Sequence, residues 1–290
     1  MRDFEYEAPA TLAQALELMS SGPAARPLAG GTDLIDHVRT GRLAPDLIVD
    51  VKRLPELNIL EFSPDGLRLG AAVPCFKLYG DERIRKSYSA LSDSAHIIGG
   101  MQIQSRASIG GNVCTSGPAA DSIPSLIALS AIVVIAGGGG SRREVPIEQF
   151  CTGPGKNVLQ AGEIVVEFRL PATSATSGSH YRRFIPRNEM DIAVVGVGAA
   201  VTLDESKTTI TAARIGVGAV APTPLFADEA SRLLVGRTAD ESTFKQAATT
   251  AVGIISPITD MRGTQEFRRH VTGVLVERVL AEAVERARAH

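Results

Sequence analysis

Two short segments carry the residue types best suited to holding a polyanionic ligand. The first is Leu28-Ala29-Gly30-Gly31-Thr32-Asp33-Leu34, where a strand-like run gives way to an amphipathic helical pattern. Adjacent glycines let the backbone approach a bulky anion and take up dihedral angles denied to other residues, while nearby amides supply donors for phosphate. An ordinary strand-to-helix turn uses the same residues, and both readings stand. The second segment is Ser108-Ile109-Gly110-Gly111-Asn112, read as part of a glycine-rich loop over residues 109–118. Two glycines again free the backbone, Ser108 and Asn112 offer side-chain hydrogen bonds, and the Asp121 carboxylate can accept from a sugar hydroxyl. Asp121 equally suits the cap of a helix beginning near Ile123, and the two roles are compatible.

Other motifs carry less. Gly216-Val217-Gly218-Ala219-Val220-Ala221 matches a dinucleotide fingerprint literally, but that motif must open a helix and here Pro222 and Pro224 follow at once. A glycine-containing strand is the better reading, and Gly196-Val197-Gly198-Ala199-Ala200-Val201 fails in the same way. Histidines 37, 96, 180, 270 and 290 form no pair with metal-ligand spacing, and neither a nucleophile elbow nor a zinc-protease helix motif occurs. Cys75, Cys114 and Cys151 are one short of the four thiolates an iron–sulfur cluster normally takes and make no disulfide framework. Arg182, Arg183 and Arg187 read as a solvated strand edge or as partners for a phosphate.

The elements that must position these residues follow from periodicity and turn chemistry. A strand at residues 4–8 leads to a capping box, Thr11 with Gln14, in front of Leu12, Ala15, Leu16 and Met19 on one helical face. Gly22 ends that helix, a second short helix runs to Gly41, and residues 47–51 form an apolar strand. Ser63-Pro64-Asp65-Gly66 is turn chemistry between two strand-like runs, which predicts a hairpin. Helical patterns follow at 84–98 and 123–131, then a strand at 132–136, a turn at Gly137 to Gly140, and an alternating strand at 163–170 stopped by Pro171. The Ser-, Thr-, Ala- and Gly-rich stretch 172–179 reads as a linker. Strands are expected at 181–184, 192–203 and 210–217, and helices at 228–234, 242–255 and 271–288. The fold class is α+β, with a domain of residues 1–175 in two subdomains, about 1–57 and 58–175, and a C-terminal domain of residues 176–290.

At 290 residues and 44% hydrophobic composition the chain can bury a sizeable core. A formal charge of -2, with no basic run beyond residues 182–187, gives no reason to expect nucleic acid or a membrane surface as partner. No segment approaches about 18 uninterrupted apolar residues, and Met1-Arg2-Asp3-Phe4-Glu5-Tyr6 lacks the pattern of a signal peptide, so the expected location is the cytoplasm. Trp is absent and aromatics make up 4%, which predicts an aliphatic, alanine-rich core.

Two glycine segments eighty residues apart, Ala120-Asp121 after the second, and Met190-Asp191-Ile192-Ala193-Val194-Val195 together carry a resemblance that runs through nearly the whole chain. It resembles the FAD-binding medium subunit of molybdenum hydroxylases, such as aerobic carbon monoxide dehydrogenase, and the flavin domain of xanthine dehydrogenase. The resemblance implies a two-subdomain FAD-binding domain of the vanillyl-alcohol-oxidase type and a smaller C-terminal domain of antiparallel strands and helices. FAD would be held non-covalently by Leu28, Ala29, Gly30, Gly31, Thr32, Asp33 and Leu34 and by Ser108, Ile109, Gly110, Gly111 and Asn112, wrapping the pyrophosphate from opposite sides. Asp121 would meet ribityl or adenosine hydroxyls, Val165 would lie near the adenine, and Arg183 would stand where relatives carry a lysine. Ile98 takes the place of an aromatic residue near the adenine. Tyr181 and Asp191 are candidates for tuning the flavin, and Cys114 is a small apolar filler rather than an attachment point.

No catalytic side chain and no metal ligand are expected on this chain. A large partner would hold the molybdenum cofactor, and a small partner two [2Fe-2S] clusters, in a heterotrimer that dimerises. Two other readings are an autonomous FAD oxidase or dehydrogenase, which the short C-terminal domain leaves little room for, and a scaffold subunit with a vestigial nucleotide site.

Overall fold

The computed structural model describes residues 3–22 and 24–289; Met1, Arg2, Pro23 and His290, on some of which the sequence reading drew, lie outside the described residues. Chain order begins with β1 (Glu5–Glu7), α1 (Leu12–Ser20), β2 (Ala25–Leu28), α2 (Leu34–Arg39) and β3 (Leu47–Asp50). These strands form a parallel sheet in the order β1-β3-β2, each crossover made by one helix. The capping box is formed: Gln14 N donates to Thr11 Oγ1 at 3.3 Å and Thr11 N to Gln14 Oε1 at 3.2 Å. Leu12, Ala15, Leu16 and Met19 of α1 are buried, as their shared helical face predicts.

The second unit holds the hairpin β4 (Leu60–Ser63) and β5 (Gly66–Gly70), then α3 (Cys75–Gly80), α4 (Glu82–Ser87), α5 (Ser89–Ile97), α6 (Met101–Gln104), α7 (Ile109–Thr115) and α8 (Ser122–Ala128). It continues with β6 (Ile132–Ala136), β7 (Arg142–Pro146), β8 (Cys151–Gly153), β9 (Lys156–Asn157) and β10 (Ile164–Pro171). An antiparallel sheet runs β4-β5-β10-β6-β7, and β8 and β9 pair separately. Central strand β10 serves two cores. Ile164 and Val166 pack with the first unit, while Val165, Phe168 and Leu170 join the helices of the second. A bulge between Val165 and Glu167 lies at this transition.

Four expectations change here. The glycine-rich loop at 109–118 is mostly helix α7, because Ser108 caps Gly111 N at 3.1 Å and Gly110 lies so close to Ala71 that a Cβ would collide with it. The helical pattern at 84–98 breaks at Tyr88, whose buried ring and non-helical backbone separate α4 from α5. Pro171 is paired opposite Gly66, which a proline tolerates because the β6 side of the ladder has already ended at Arg169. The linker stops at residue 176, since Ser177 already pairs with Thr202 in a strand.

That strand is β11 (Ser177–Phe184), followed by β12 (Val195–Leu203), β13 (Ile210–Gly218) and β14 (Leu225–Phe226) in one antiparallel sheet of that order. Helices α9 (Asp228–Leu234), α10 (Glu241–Gly253) and α11 (Gln265–Ala289) complete the chain and bury an aliphatic core against the sheet, as composition predicts. The literal fingerprint at Gly216 is strand, and its glycines have a packing role. A Cβ on Gly198 or Gly216 would fall 2.6 or 2.5 Å from the Pro124 carbonyl oxygen, so these glycines let α8 lie flat on β12 and β13.

Candidate functional site

A cleft of about 750 Å³ opens between the first two units, with lining residues that include Ala29, Gly30, Gly31, Thr32, Asp33, Leu34, Ile98, Ser108, Gly110, Gly111, Asn112 and Val165. That volume lies within the about 300–1,000 Å³ usual for cofactor sites. The strand β2 ends at its rim and α2 begins there, so the segment 29–33 is a bare stretch of backbone facing the opening. Gly31 adopts φ +78°, a left-handed conformation that favours glycine. Gly30 is required by contact: a Cβ there would strike the Arg106 carbonyl. The consequence for binding is direct. The amides of Gly30, Gly31, Thr32 and Asp33 have no acceptor among the described residues, whereas Ile35 N and His37 N already donate to Gly31 O and Asp33 O. Four successive unpaired N–H groups in a concave turn form an anion cradle.

The second glycine segment differs from the first in its backbone amides. Gly110 N donates to Ala71 O, Asn112 N to Ser108 O and Gly111 N to Ser108 Oγ, so these amides are already committed. Its contribution is closeness, through glycines without side chains, together with Asn112. The Asn112 Oδ1 accepts from Ser122 Oγ at 2.6 Å and Ser122 N at 3.2 Å, which leaves Nδ2 as a donor without an acceptor among the described residues.

Four of the expected residues do not line the cleft. Leu28 lies beneath the first segment, close to Gly31, and Ile109 is in the core of the second unit. Asp121 and Arg183 form a buried pair, Arg183 Nη1 to Asp121 Oδ2 at 2.6 Å, completed by Tyr181 Oη donating to Oδ1 at 2.8 Å. Asp121 makes no side-chain cap to α8, so its expected capping role is absent: both oxygens are taken by residues of β11. Burial pushes its carboxyl up to about 6, against the opposing pull of Arg183 and Tyr181. The cluster therefore ties the start of α8 to β11 and is not part of the cleft lining.

Sequence reasoning missed the remaining wall. Asn157 donates from Nδ2 to Cys114 O at 3.1 Å and Ser116 Oγ at 3.0 Å, tying β9 to α7, and Glu163 is held by Arg143 at 2.6 Å. Between these anchors Leu159, Gln160, Ala161 and Gly162 face the cleft. Their signal was the glycine Gly162 at φ +82°, which packs against Ser20 of α1 and draws the turn inward. Burial raises the Cys114 thiol to about 12, which favours its protonated form. Among the described residues no group of three or more His, Cys, Asp or Glu is placed to hold a metal, and no helix is long and apolar enough to cross a membrane.

This geometry fits a dinucleotide: a diphosphate cradle of free amides, and a long cleft with apolar walls at Ile98, Leu159, Ile164 and Val165. Comparison with known proteins agrees with it. Residues 2–173 match the family described as the FAD binding domain in molybdopterin dehydrogenase, and residues 180–283 match the CO dehydrogenase flavoprotein C-terminal domain. The xanthine dehydrogenase FAD-binding subunit of Escherichia coli O157:H7 is 33% identical over 290 residues, covering 99% of this chain and 98% of that one. The carbon monoxide dehydrogenase medium chain of Hydrogenophaga pseudoflava is 30% identical over 281 residues, 97% of this chain and 96% of its own. A solved structure of carbon monoxide dehydrogenase from the same organism, lacking the Mo-pyranopterin moiety of its molybdenum cofactor, superimposes with a TM-score of 0.93 at 30% identity, covering 98% of both chains. The chain belongs to the family of FAD-binding medium subunits of molybdenum hydroxylases.

Proposed function

We propose that this chain binds FAD non-covalently in the cleft and is the electron-transfer subunit of a multi-subunit molybdenum-dependent hydroxylase or dehydrogenase. The carrying observation is the run of four unpaired amides at residues 30–33, set in a cleft of cofactor size. Bound FAD supplies the redox chemistry, linking one-electron delivery from a [2Fe-2S] partner to an external acceptor. The residues of this chain bind and orient it. Gly30, Gly31, Thr32 and Asp33 offer N–H donors to the diphosphate, Asn112 Nδ2 adds a side-chain donor, and Gly110 and Gly111 let the ligand lie against α7. Ile98 and Val165 supply apolar contact, and Ala29 and Leu34 flank the cradle. Leu28 and Ile109 shape the site from beneath, while Asp121 and Arg183, locked together with Tyr181, tie the start of α8 to β11.

The working assembly contains a large molybdopterin-binding subunit and a small iron–sulfur subunit, and its natural form is a dimer of such heterotrimers in the cytoplasm. The chain divides near residue 175, in keeping with the two family matches, which end at 173 and resume at 180. The relatives are named as subunits, which favours dependence on partners over an autonomous oxidase. The test is an absorption spectrum of the chain alone and of the complex co-purified with its partners, followed by acid release of the chromophore. Flavin bands, release of free FAD, and bleaching by substrate only when the partners are present are the expected results. A colourless chain in both preparations overturns the proposal.

A further inference from the structure

The backbone amides of the cradle are neutral donors, yet a dinucleotide brings a doubly charged diphosphate. The ionisable side chains lining the cleft, cysteine aside, are Arg26, His37 and Arg42 against Asp33 and Glu163. Glu163 is neutralised by Arg143, and Arg26 is engaged, with Nη1 on Ala25 O at 2.8 Å. Arg42 differs from both. It is exposed, lines the cleft, and has neither a hydrogen-bond nor an ion-pair partner among the described residues. Its backbone is nevertheless well placed: Gly41, at φ +73°, turns the chain at the end of α2, and Leu43 N donates to His37 O at 3.1 Å. A guanidinium is always charged and presents a planar fork of donors matched to phosphate oxygens.

We propose that Arg42 is the cationic clasp of the bound dinucleotide, closing on the diphosphate that the residue 30–33 amides hold and making this site prefer diphosphate-bearing flavins. The inference rests on the FAD reading of the cleft. It is tested by titrating the deflavinated complex with FAD, following flavin fluorescence at low and high NaCl, with ADP as competitor and riboflavin as an uncharged control. In Arg42→Ala, FAD and ADP affinities fall about tenfold or more, in line with loss of a hydrogen bond to a charged group. The salt dependence of FAD binding flattens, Arg42→Lys keeps most of the affinity, Arg42→Glu loses more than Ala, and riboflavin binding is unchanged throughout. Because Arg42 is exposed and unpaired, circular dichroism of all three variants should match the wild type. Unchanged FAD affinity and salt slope in Arg42→Ala, or an equal loss of riboflavin, overturns the inference alone. A wild-type complex that takes up no FAD overturns the FAD reading, and this inference with it.

Discussion

Asp121 shows how much a single side chain's role depends on partners remote in sequence. Its carboxylate suits a cofactor hydroxyl or a helix cap by sequence; it makes no side-chain cap, and Tyr181 and Arg183, 60 and 62 residues away, occupy its two oxygens. Such a cluster is stable only while complete, because each member is buried and each would be left with an unmet charge or hydrogen bond. Asp121→Ala strands the Arg183 guanidinium and is expected to cost about 3–5 kcal/mol in denaturant unfolding. Tyr181→Phe removes one hydrogen bond to a charged group and costs about 1.5–3 kcal/mol. A Tyr181 variant less stable than the Asp121 variant would contradict this ordering.

At the scale of elements, glycine serves two separate purposes. In the segment before α2 it leaves amides free for a ligand; in β12 and β13 it makes a flat bed for α8. Both use two glycines within three residues beside an alanine, so the glycine count alone does not separate them. Helix formation over α7 despite Gly110 and Gly111 has a related cause, because tertiary contact with Ala71 and the Ser108 cap outweigh a glycine propensity deficit of about 1 kcal/mol per residue. Gly216→Ala places a methyl group 2.5 Å from the Pro124 carbonyl oxygen and is expected to destabilise by about 1–3 kcal/mol, with faster hydrogen exchange in α8. Gly253→Ala, at a helix end with nothing within 4 Å of the new methyl, should instead be neutral or stabilise by about 0.4–1 kcal/mol. Equal effects at the two positions would show that α8 is not seated on Gly216.

Across the whole molecule, the C-terminal sheet is fastened to the second unit by a charged staple. Asp93 of α5 accepts from His180 Nδ1 at 2.6 Å, Arg286 Nη1 at 2.7 Å and Tyr181 N at 3.1 Å, so one carboxylate joins α5, β11 and α11. Burial opposes its ionisation, but His180 and Arg286 together hold the carboxyl below its ordinary value of 3.8. A depressed carboxylate contributes stability that is fully present above the unfolded-state value and is lost as pH falls through the folded-state value. The gap in melting temperature between wild type and Asp93→Asn should therefore narrow as pH falls below about 4. A gap that widens on acidification would reverse the assigned sign.

The sequence by itself determined the local elements. Capping box, hairpin turn and apolar periodicity specify α1, β4 with β5, and the C-terminal helices, because each depends on neighbours within a few residues. The segment 28–34 was legible as a candidate anion site for the same reason: its glycines and its place between β2 and α2 are adjacent in the chain. Tertiary structure alone decided which donors remain free. The amides of Gly110, Gly111 and Asn112 are consumed by Ala71 and Ser108, those of residues 30–33 are not, and Arg42 and residues 159–162 reach the cleft from other segments. The physical reason is that a hydrogen bond satisfied inside the fold is unavailable to a ligand, and whether it is satisfied depends on contacts between residues far apart in the chain.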